Sequence, residues 1–397
     1  MSRLTRPSIY VVTPGTYPIP ANLTGSVELS VMQIFPYLAS SYQVTVIGRK
    51  QQGVLPSLDH VGLTRNLYVC GGKVNFVQIQ STIKDYPDQL AQHLSQGIKS
   101  IIHVENRPAL VSRIKERYPL SKIWLNLHSI TFLAPGKNNN HDLGNALSLA
   151  DRISVNSEFL KQYVSHLFPA IQHKVWVNYP GVNHLHYFPS CESKNYLRRG
   201  TVAGFSSHGP VILYVGRLRK MKGVDHLIRA FTRVISVYPS AQLLVIGSSD
   251  YTAYKESSYT RSLKILASSL GLEKNITFKP HTSADELVKW YQVSDVFVCP
   301  SIVNEAFGLV NLEAMSCGIP VIASKIGGIP EVVEHNYSGL LVPLDYHEER
   351  LAEAILTLAM HPERARLFGM NGRVRVLNKF TWKHTAERLK KDYQDHY

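Results

Sequence analysis

Two glutamates, Glu305 and Glu313, stand eight residues apart inside the stretch Asp295 to Glu334, which reads DVFVCPSIVNEAFGLVNLEAMSCGIPVIASKIGGIPEVVE. Carboxylates at that offset can each accept from a pair of vicinal hydroxyls, one pair on a sugar and one on a ribose. Alone they mean little, since most glutamates are solvated surface. Their surroundings give them weight. Apolar runs at Asp295–Cys299 and Pro320–Ala323 predict buried strands, Gly308 to Ser316 predicts a helix that Gly318 stops, and Gly327-Gly328 predicts a turn. A helix beginning at Gly308 aims free N–H groups and a positive dipole end at the Glu305 loop. The amides of Ala306, Phe307, Gly308 and Leu309 would donate to phosphate or sugar oxygens there.

The elements that must position this stretch alternate strand and helix from end to end. Strands are expected at Ser8–Thr13, Gln43–Gly48, Asn75–Gln78, Ile101–Val104, Ile123–Leu127, Arg152–Asn156 and Val175–Asn178. After a pause they resume at Val211–Val215, Gln242–Ile246, Asn275–Phe278, Asp295–Cys299, Pro320–Ala323 and Gly339–Val342. Such alternation builds parallel sheets from βαβ units. Glu28 to Ala39 is helix-like, with Pro36 as a kink, and Val224, Leu227, Ile228, Phe231, Val234 and Ile235 fall on one helix face. Gly181 to Pro210 lacks a clear period and reads as a linker with a short lead-in. The expectation is two α/β domains, 1–190 and 191–380. A closing helix over 381–397 lines up Trp382, Ala386, Leu389 and Tyr393, and it can pack back on the first half.

Composition bounds the function. The chain has 397 residues, is 44% hydrophobic and carries a net charge of +14 spread along its length. Phosphorylated substrates, an anionic membrane surface or plain solubility would each account for that charge. No apolar run approaches the ~18–20 residues of a membrane-spanning helix, and the basic start leads into too short an apolar stretch for a secretory signal. Four scattered cysteines, Cys70, Cys191, Cys299 and Cys317, read as reduced and mostly buried thiols of a cytoplasmic protein. There is no G-x-G-x-x-G after a strand, no G-x-S-x-G, no Walker lysine loop and no D-x-D in a plausible metal context.

Glu305-Ala306-Phe307-Gly308-Leu309-Val310, followed by Glu313-Ala314-Met315 and Gly318-Ile319-Pro320-Val321, resembles the E-x7-E signature of glycosyltransferase family 4. The likeness covers nearly the whole chain. It runs through Asp151 to Glu158, Tyr179 to Asn183, Phe188-Pro189, Gly216-Arg217-Leu218 with Lys222-Gly223, Val245-Ile246-Gly247, Tyr291 with Asp295 to Pro300, and Phe380-Thr381-Trp382. It implies the GT-B architecture, two Rossmann-like parallel-sheet domains facing across a cleft. The implied activity is that of a retaining enzyme moving a hexosyl unit from a nucleoside-diphosphate sugar, a UDP-sugar favoured, to a hydroxyl acceptor without metal or other cofactor.

The resemblance also implies site residues. Arg217 and Lys222 would neutralise the donor diphosphate, and Glu305 with the amides at Phe307 and Gly308 would hold sugar and pyrophosphate. Glu313 would hold the ribose, and Lys279-Pro280-His281 would meet the base. His128 would lie near the reacting sugar, and Gly25 would let backbone approach the phosphate, although Thr24 stands where relatives often carry a second glycine. Arg107, in Glu105-Asn106-Arg107-Pro108, reads equally as a cleft cation or a surface turn, and that run is similar to a spore-coat-associated subgroup of the family. Two further readings stay open: a coat-associated structural protein with little catalysis, or a sugar-nucleotide epimerase or phosphorylase. The acceptor is a glycan, a lipid-linked sugar or a small molecule; peripheral membrane or spore-coat association is an alternative to a purely cytoplasmic site. Nucleic acid is not expected as a partner.

Overall fold

The computed structural model describes residues 6–17, 19, 26–50, 74–80, 85–92, 94, 100–133, 140–201, 209–249 and 256–397. The chain divides into two compact units, Met1–Pro180 with Trp382–Tyr397, and Gly181–Thr381. Gly25 lies outside the described residues.

The first unit holds a seven-stranded sheet with all described neighbours parallel. Its strands are β1 (Ser8–Val12), β2 (Gln43–Arg49), β3 (Val74–Ile79), β4 (Ser100–Glu105), β5 (Lys122–Leu127), β6 (Arg152–Val155) and β7 (Val175–Val177), in the order β3-β2-β1-β4-β5-β6-β7. Helices α1 (Ser26–Leu38), α2 (Tyr86–Gln92), α3 (Pro108–Arg117), α4 (Asn140–Leu149) and α5 (Glu158–Leu167) alternate with them. Central strands are buried on both faces, so β4 contains no exposed residue.

The second unit holds a six-stranded parallel sheet. Helix α6 (Lys194–Thr201) precedes β8 (Val211–Val215), and α7 (Val224–Val237), β9 (Gln242–Ile246), α8 (Ser258–Ser269), β10 (Ile276–Lys279), α9 (Ala284–Val293) and β11 (Val296–Cys299) follow. Next come α10 (Leu309–Ser316), β12 (Val321–Ser324), α11 (Ile329–Val332), β13 (Gly339–Val342), α12 (His347–Met360) and α13 (Pro362–Lys379). The strand order is β10-β9-β8-β11-β12-β13. The apolar stripe of α7, from Val224 to Val234, is buried in the core with β8, β9 and α12.

Helix α14 (Trp382–His396) belongs to the first unit. Trp382, Ala386, Leu389 and Tyr393 join the core cluster of α1 and β1. Asp392 accepts from Trp124 Nε1 at 2.7 Å and from Arg152 Nη2 at 2.6 Å, which ties the helix to β5 and β6. Among the described cysteines, Cys299 and Cys317 are buried thiols while Cys191 is exposed.

Two expectations need correction. The stretch Gly181 to Pro210 is not only a linker, since it contains α6. Arg198 Nη2 reaches Asp295 Oδ2 at 2.5 Å and Lys194 Nζ reaches Ser294 O at 2.5 Å, which anchors a helix with little apolar surface of its own. Burial would push the Asp295 carboxyl up, but Lys194 and Arg198 hold it below its ordinary range. The boundary between units also falls at Gly181 rather than 191. Arg373 Nη1 bonds the carbonyls of Tyr187 and Ser316 at 2.9 and 2.6 Å, and Gln292 Nε2 bonds Phe188 O at 2.9 Å, so these residues already pack with the second unit.

Candidate active site

A parallel sheet whose strands are added first to one side and then to the other leaves a crevice where the order reverses, beyond the strands' carboxyl ends. In the second unit that point lies between β8 and β11. The turn after β8 carries Arg217 and Lys222; the loop after β11 carries Glu305. Ile302 N donates to Met221 O at 3.0 Å, so the two segments are stitched together by backbone.

Glu305 is the centre of this grouping. Lys222 Nζ pairs with its Oε1, and Ser301 Oγ donates to the same oxygen at 2.6 Å. Both partners of the ion pair keep some surface open to solvent. Arg217 makes no ion pair among the described residues; its carbonyl accepts from Tyr214 Oη at 3.0 Å, which holds the turn.

The loop is shaped by two glycines. Gly223 adopts φ +65°, and a Cβ there would lie 2.0 Å from Pro300 O. Gly327 adopts φ +53°, and its Cβ would lie 2.1 Å from Glu305 O. The neighbouring Gly328 N donates to that same carbonyl at 2.8 Å. Gly308, at φ +95°, precedes α10 without a side-chain cap. The N–H groups of Ala306, Gly308 and Leu309 find no acceptor among the described residues. Phe307 is buried, with its ring 5.9 Å from that of Phe380.

Glu313 lies further along α10 on the same unit. Tyr291 Oη donates to its Oε2 at 2.9 Å, and Tyr187 Oη also bonds the carboxyl. Burial pushes Glu313 up to about 7, against the pull of the two tyrosine hydroxyls. Ser301 and Tyr187 were not legible as site residues: Ser301 is one of many loop serines, and Tyr187 sits in the aperiodic stretch.

Lys279 ends β10, the edge strand, with β9 and β8 lying between it and β11. At ~4.8 Å per strand the offset is about 14 Å. Its ammonium sits 4.7 Å over the Trp290 ring, and Pro280 beside it is exposed. The structure therefore does not bring Lys279 and Pro280 against Glu305, although they share its end of the sheet.

The first unit reverses between β1 and β4. Arg107 Nη1 donates to Pro14 O at 2.6 Å across that point, so the cation is engaged within its own unit. His128 follows β5. Its N–H donates to Asn106 Oδ1 at 3.0 Å and its carbonyl accepts from Asn156 Nδ2 at 2.8 Å. Its Nε2 lies 2.7 Å from Glu105 Oε2.

A family model described as "Glycosyl transferases group 1" matches residues 202–375. YtcC of Bacillus subtilis (strain 168), assigned by its name to the glycosyltransferases, is 31% identical over 387 residues, covering 95% of this chain and 89% of YtcC. The chain belongs to the group 1 glycosyltransferases. Spore coat protein SA of the same organism is 27% identical, with 95% of this chain and 96% of the relative covered. Sucrose-phosphate synthase from Thermosynechococcus elongatus superposes with a TM-score of 0.78 at 24% identity, covering 98% of this chain and 99% of that one. Anabaena HepE in complex with UDP and glucose superposes with a TM-score of 0.76 at 20% identity, covering 98% and 100%. These likenesses show the fold, the GT-B architecture of glycosyltransferases. Among the described residues no helix is long and apolar enough to cross a membrane.

Proposed function

We propose that this glycosyltransferase moves a hexosyl unit from a nucleoside-diphosphate sugar, a UDP-sugar by preference, to a hydroxyl acceptor, with the anomeric configuration retained and no metal required. One observation carries the reading: the cationic pair Arg217 and Lys222, the partly open Glu305 carboxylate and unsatisfied amides at the start of α10 share one switch point. In the transfer the anomeric C–O bond breaks and its electron pair stays on the departing phosphate oxygen. The acceptor oxygen bonds the anomeric carbon, and its proton passes to that phosphate. Charge therefore grows on the diphosphate, where Arg217, Lys222 and the α10 amides stabilise it. Glu305 fixes Lys222 and offers its second oxygen to sugar hydroxyls, Glu313 serves the ribose, and Lys279 with Pro280 serves the base. His128 serves a hydroxyl of the reacting sugar. HepE crystallised with UDP and glucose supports the donor class.

The test is a thermal-shift screen with UDP, GDP and ADP and their sugars. A nucleotide at ~100 times its dissociation constant adds about 2.7 kcal/mol, a rise of several degrees. One base should dominate, and its sugar should release nucleoside diphosphate when an acceptor is present. No shift with any nucleotide would overturn the reading. The kinship with spore coat protein SA favours a second one, a coat-associated protein with little catalysis. Nucleotide binding without turnover on any acceptor would select it.

A further inference from the structure

Glu105 ends β4 and is fully buried. Its Oε1 lies 3.2 Å from His103 Nε2, and its Oε2 lies 2.7 Å from His128 Nε2. On the far side, His103 Nδ1 meets the Tyr393 hydroxyl at 2.6 Å. A buried carboxylate thus stands between two imidazoles, one sealed in the core and one with a partly exposed ring.

The position of one proton follows. Burial would raise the Glu105 carboxyl, but the two histidines beside it pull it down to about 2, so it is an anion at neutral pH. Two lone pairs do not face each other at 2.7 Å, hence the proton in that contact sits on His128 Nε2. Asn126 cannot replace Glu105 as the orienting group. Its Oδ1 is taken by Ser154 Oγ at 3.0 Å, so it presents only N–H groups here; its Nδ2 lies 3.0 Å from both Glu105 Oε2 and His128 Nε2, and the anion at the shorter 2.7 Å contact accepts from both nitrogens. Asn106 and Asn156 hold the His128 backbone at both polar atoms. Asn106 does so from φ +48°, a left-handed conformation that asparagine tolerates better than most residues. Every polar atom of His128 is therefore engaged except ring Nδ1, which has no partner among the described residues. Glu28, buried in the first turn of α1, is a second carboxyl within electrostatic reach of His128, and burial raises it above its ordinary range.

We infer that Glu105 is a positioning residue that keeps the His128 proton on Nε2 and so reserves Nδ1 for a hydroxyl of the carbohydrate substrate. This rests on the proposed function for the identity of the substrate, but the tautomer itself does not.

Two readouts on the full-length protein separate the parts. In 15N-histidine spectra, with the His128 signals assigned by their loss in His128→Gln, the proton should sit on Nε2. Glu105→Gln offers a carboxamide N–H to that nitrogen, and the proton should move toward Nδ1. Turnover should then fall by roughly 10²-fold, the scale of a lost acid–base contact, while the nucleotide dissociation constant stays unchanged. An unmoved tautomer in the folded variant would overturn the inference, as would a moved tautomer with full turnover. Should the Gln variant fail to fold, Glu105→Asp keeps the carboxylate but sets it back by one methylene, and the Nε2 proton should loosen with a smaller loss of turnover; wild-type behaviour in both readouts would again overturn it. If wild-type protein binds no nucleotide, the proposed function fails while the tautomer measurement still stands.

Discussion

The two units solve one topological problem in opposite ways. Each sheet reverses its strand order once, and each places a glutamate near the reversal, Glu105 at the end of β4 and Glu305 after β11. Glu105 is fully buried, while Glu305 keeps solvent-facing surface and takes a lysine and a serine. A buried carboxylate acts only through what it touches, which here means the rings of His103 and His128. A half-open one can be touched directly, together with the cations and amides beside it. The same fold thus sets a partly open carboxylate beside cations and unpaired amides in one unit and a sealed carboxylate beside two imidazoles in the other.

The largest effect that would break this contrast is on turnover. Lys222→Ala should lower it by roughly 10²–10³-fold, the scale seen when one donor to a developing oxyanion is lost. Stability should change little, because a partly exposed ion pair contributes ~0–1 kcal/mol. Measured together, kcat and Tm should diverge. Normal turnover would remove Lys222 from the diphosphate and leave the second unit without its distinguishing chemistry.

The next effect is on pH dependence. Glu313 is raised from 4.5 to about 7, so the folded protein holds a proton that the unfolded chain has already released between those values. The stability this gives is full below about pH 4.5 and is lost as pH rises through about 7. Denaturation of wild type against Glu313→Gln at about pH 5 and about pH 8 should show a difference on the order of 1–3 kcal/mol, with wild type losing more on the alkaline side. Parallel curves would mean that the two tyrosines keep the carboxylate charged.

Loop geometry comes third. Gly327→Ala would drive a Cβ into the Glu305 carbonyl at a positive φ. About 1–3 kcal/mol of stability should be lost, and nucleotide binding should weaken with it because the Glu305 loop shifts. An alanine variant that melts and binds as wild type does would show that the loop yields.

How much of this the sequence carries differs along the same line. The thirteen strands among the described residues stand where apolar runs predict them, to within two residues, because buried parallel strands are continuous in Val, Ile and Leu. The loop ends after β8 and β11 were legible too, since glycine and charge together mark them. What escaped depends on contacts distant in sequence. Helix α6 hid because two ion pairs to Asp295 replace an apolar stripe. The partners of His128 hid for a similar reason: Glu105 and Asn156 come from the ends of β4 and β6, which only the sheet order brings to either side of β5. Tyr393 was legible as a buried face residue of the last helix, but not as the hydroxyl that meets His103.

That hydroxyl gives the smallest and sharpest test. Tyr393→Phe keeps the ring, which packs edge-on against Trp124 at 5.2 Å, and deletes only the contact to His103 Nδ1. The loss of stability should be about 1 kcal/mol, the net worth of one hydrogen bond, plus the cost of leaving a buried imidazole nitrogen unpartnered. If the carboxylate between the imidazoles holds each of them separately, His128 should keep its Nε2 proton and the enzyme its turnover. If instead the four groups share protons as one chain, removal of the far end should move the His128 signal as well. A calorimetric Tm beside the 15N-histidine spectrum of this one variant therefore decides whether the buried site ends at Glu105 or runs on into the last helix.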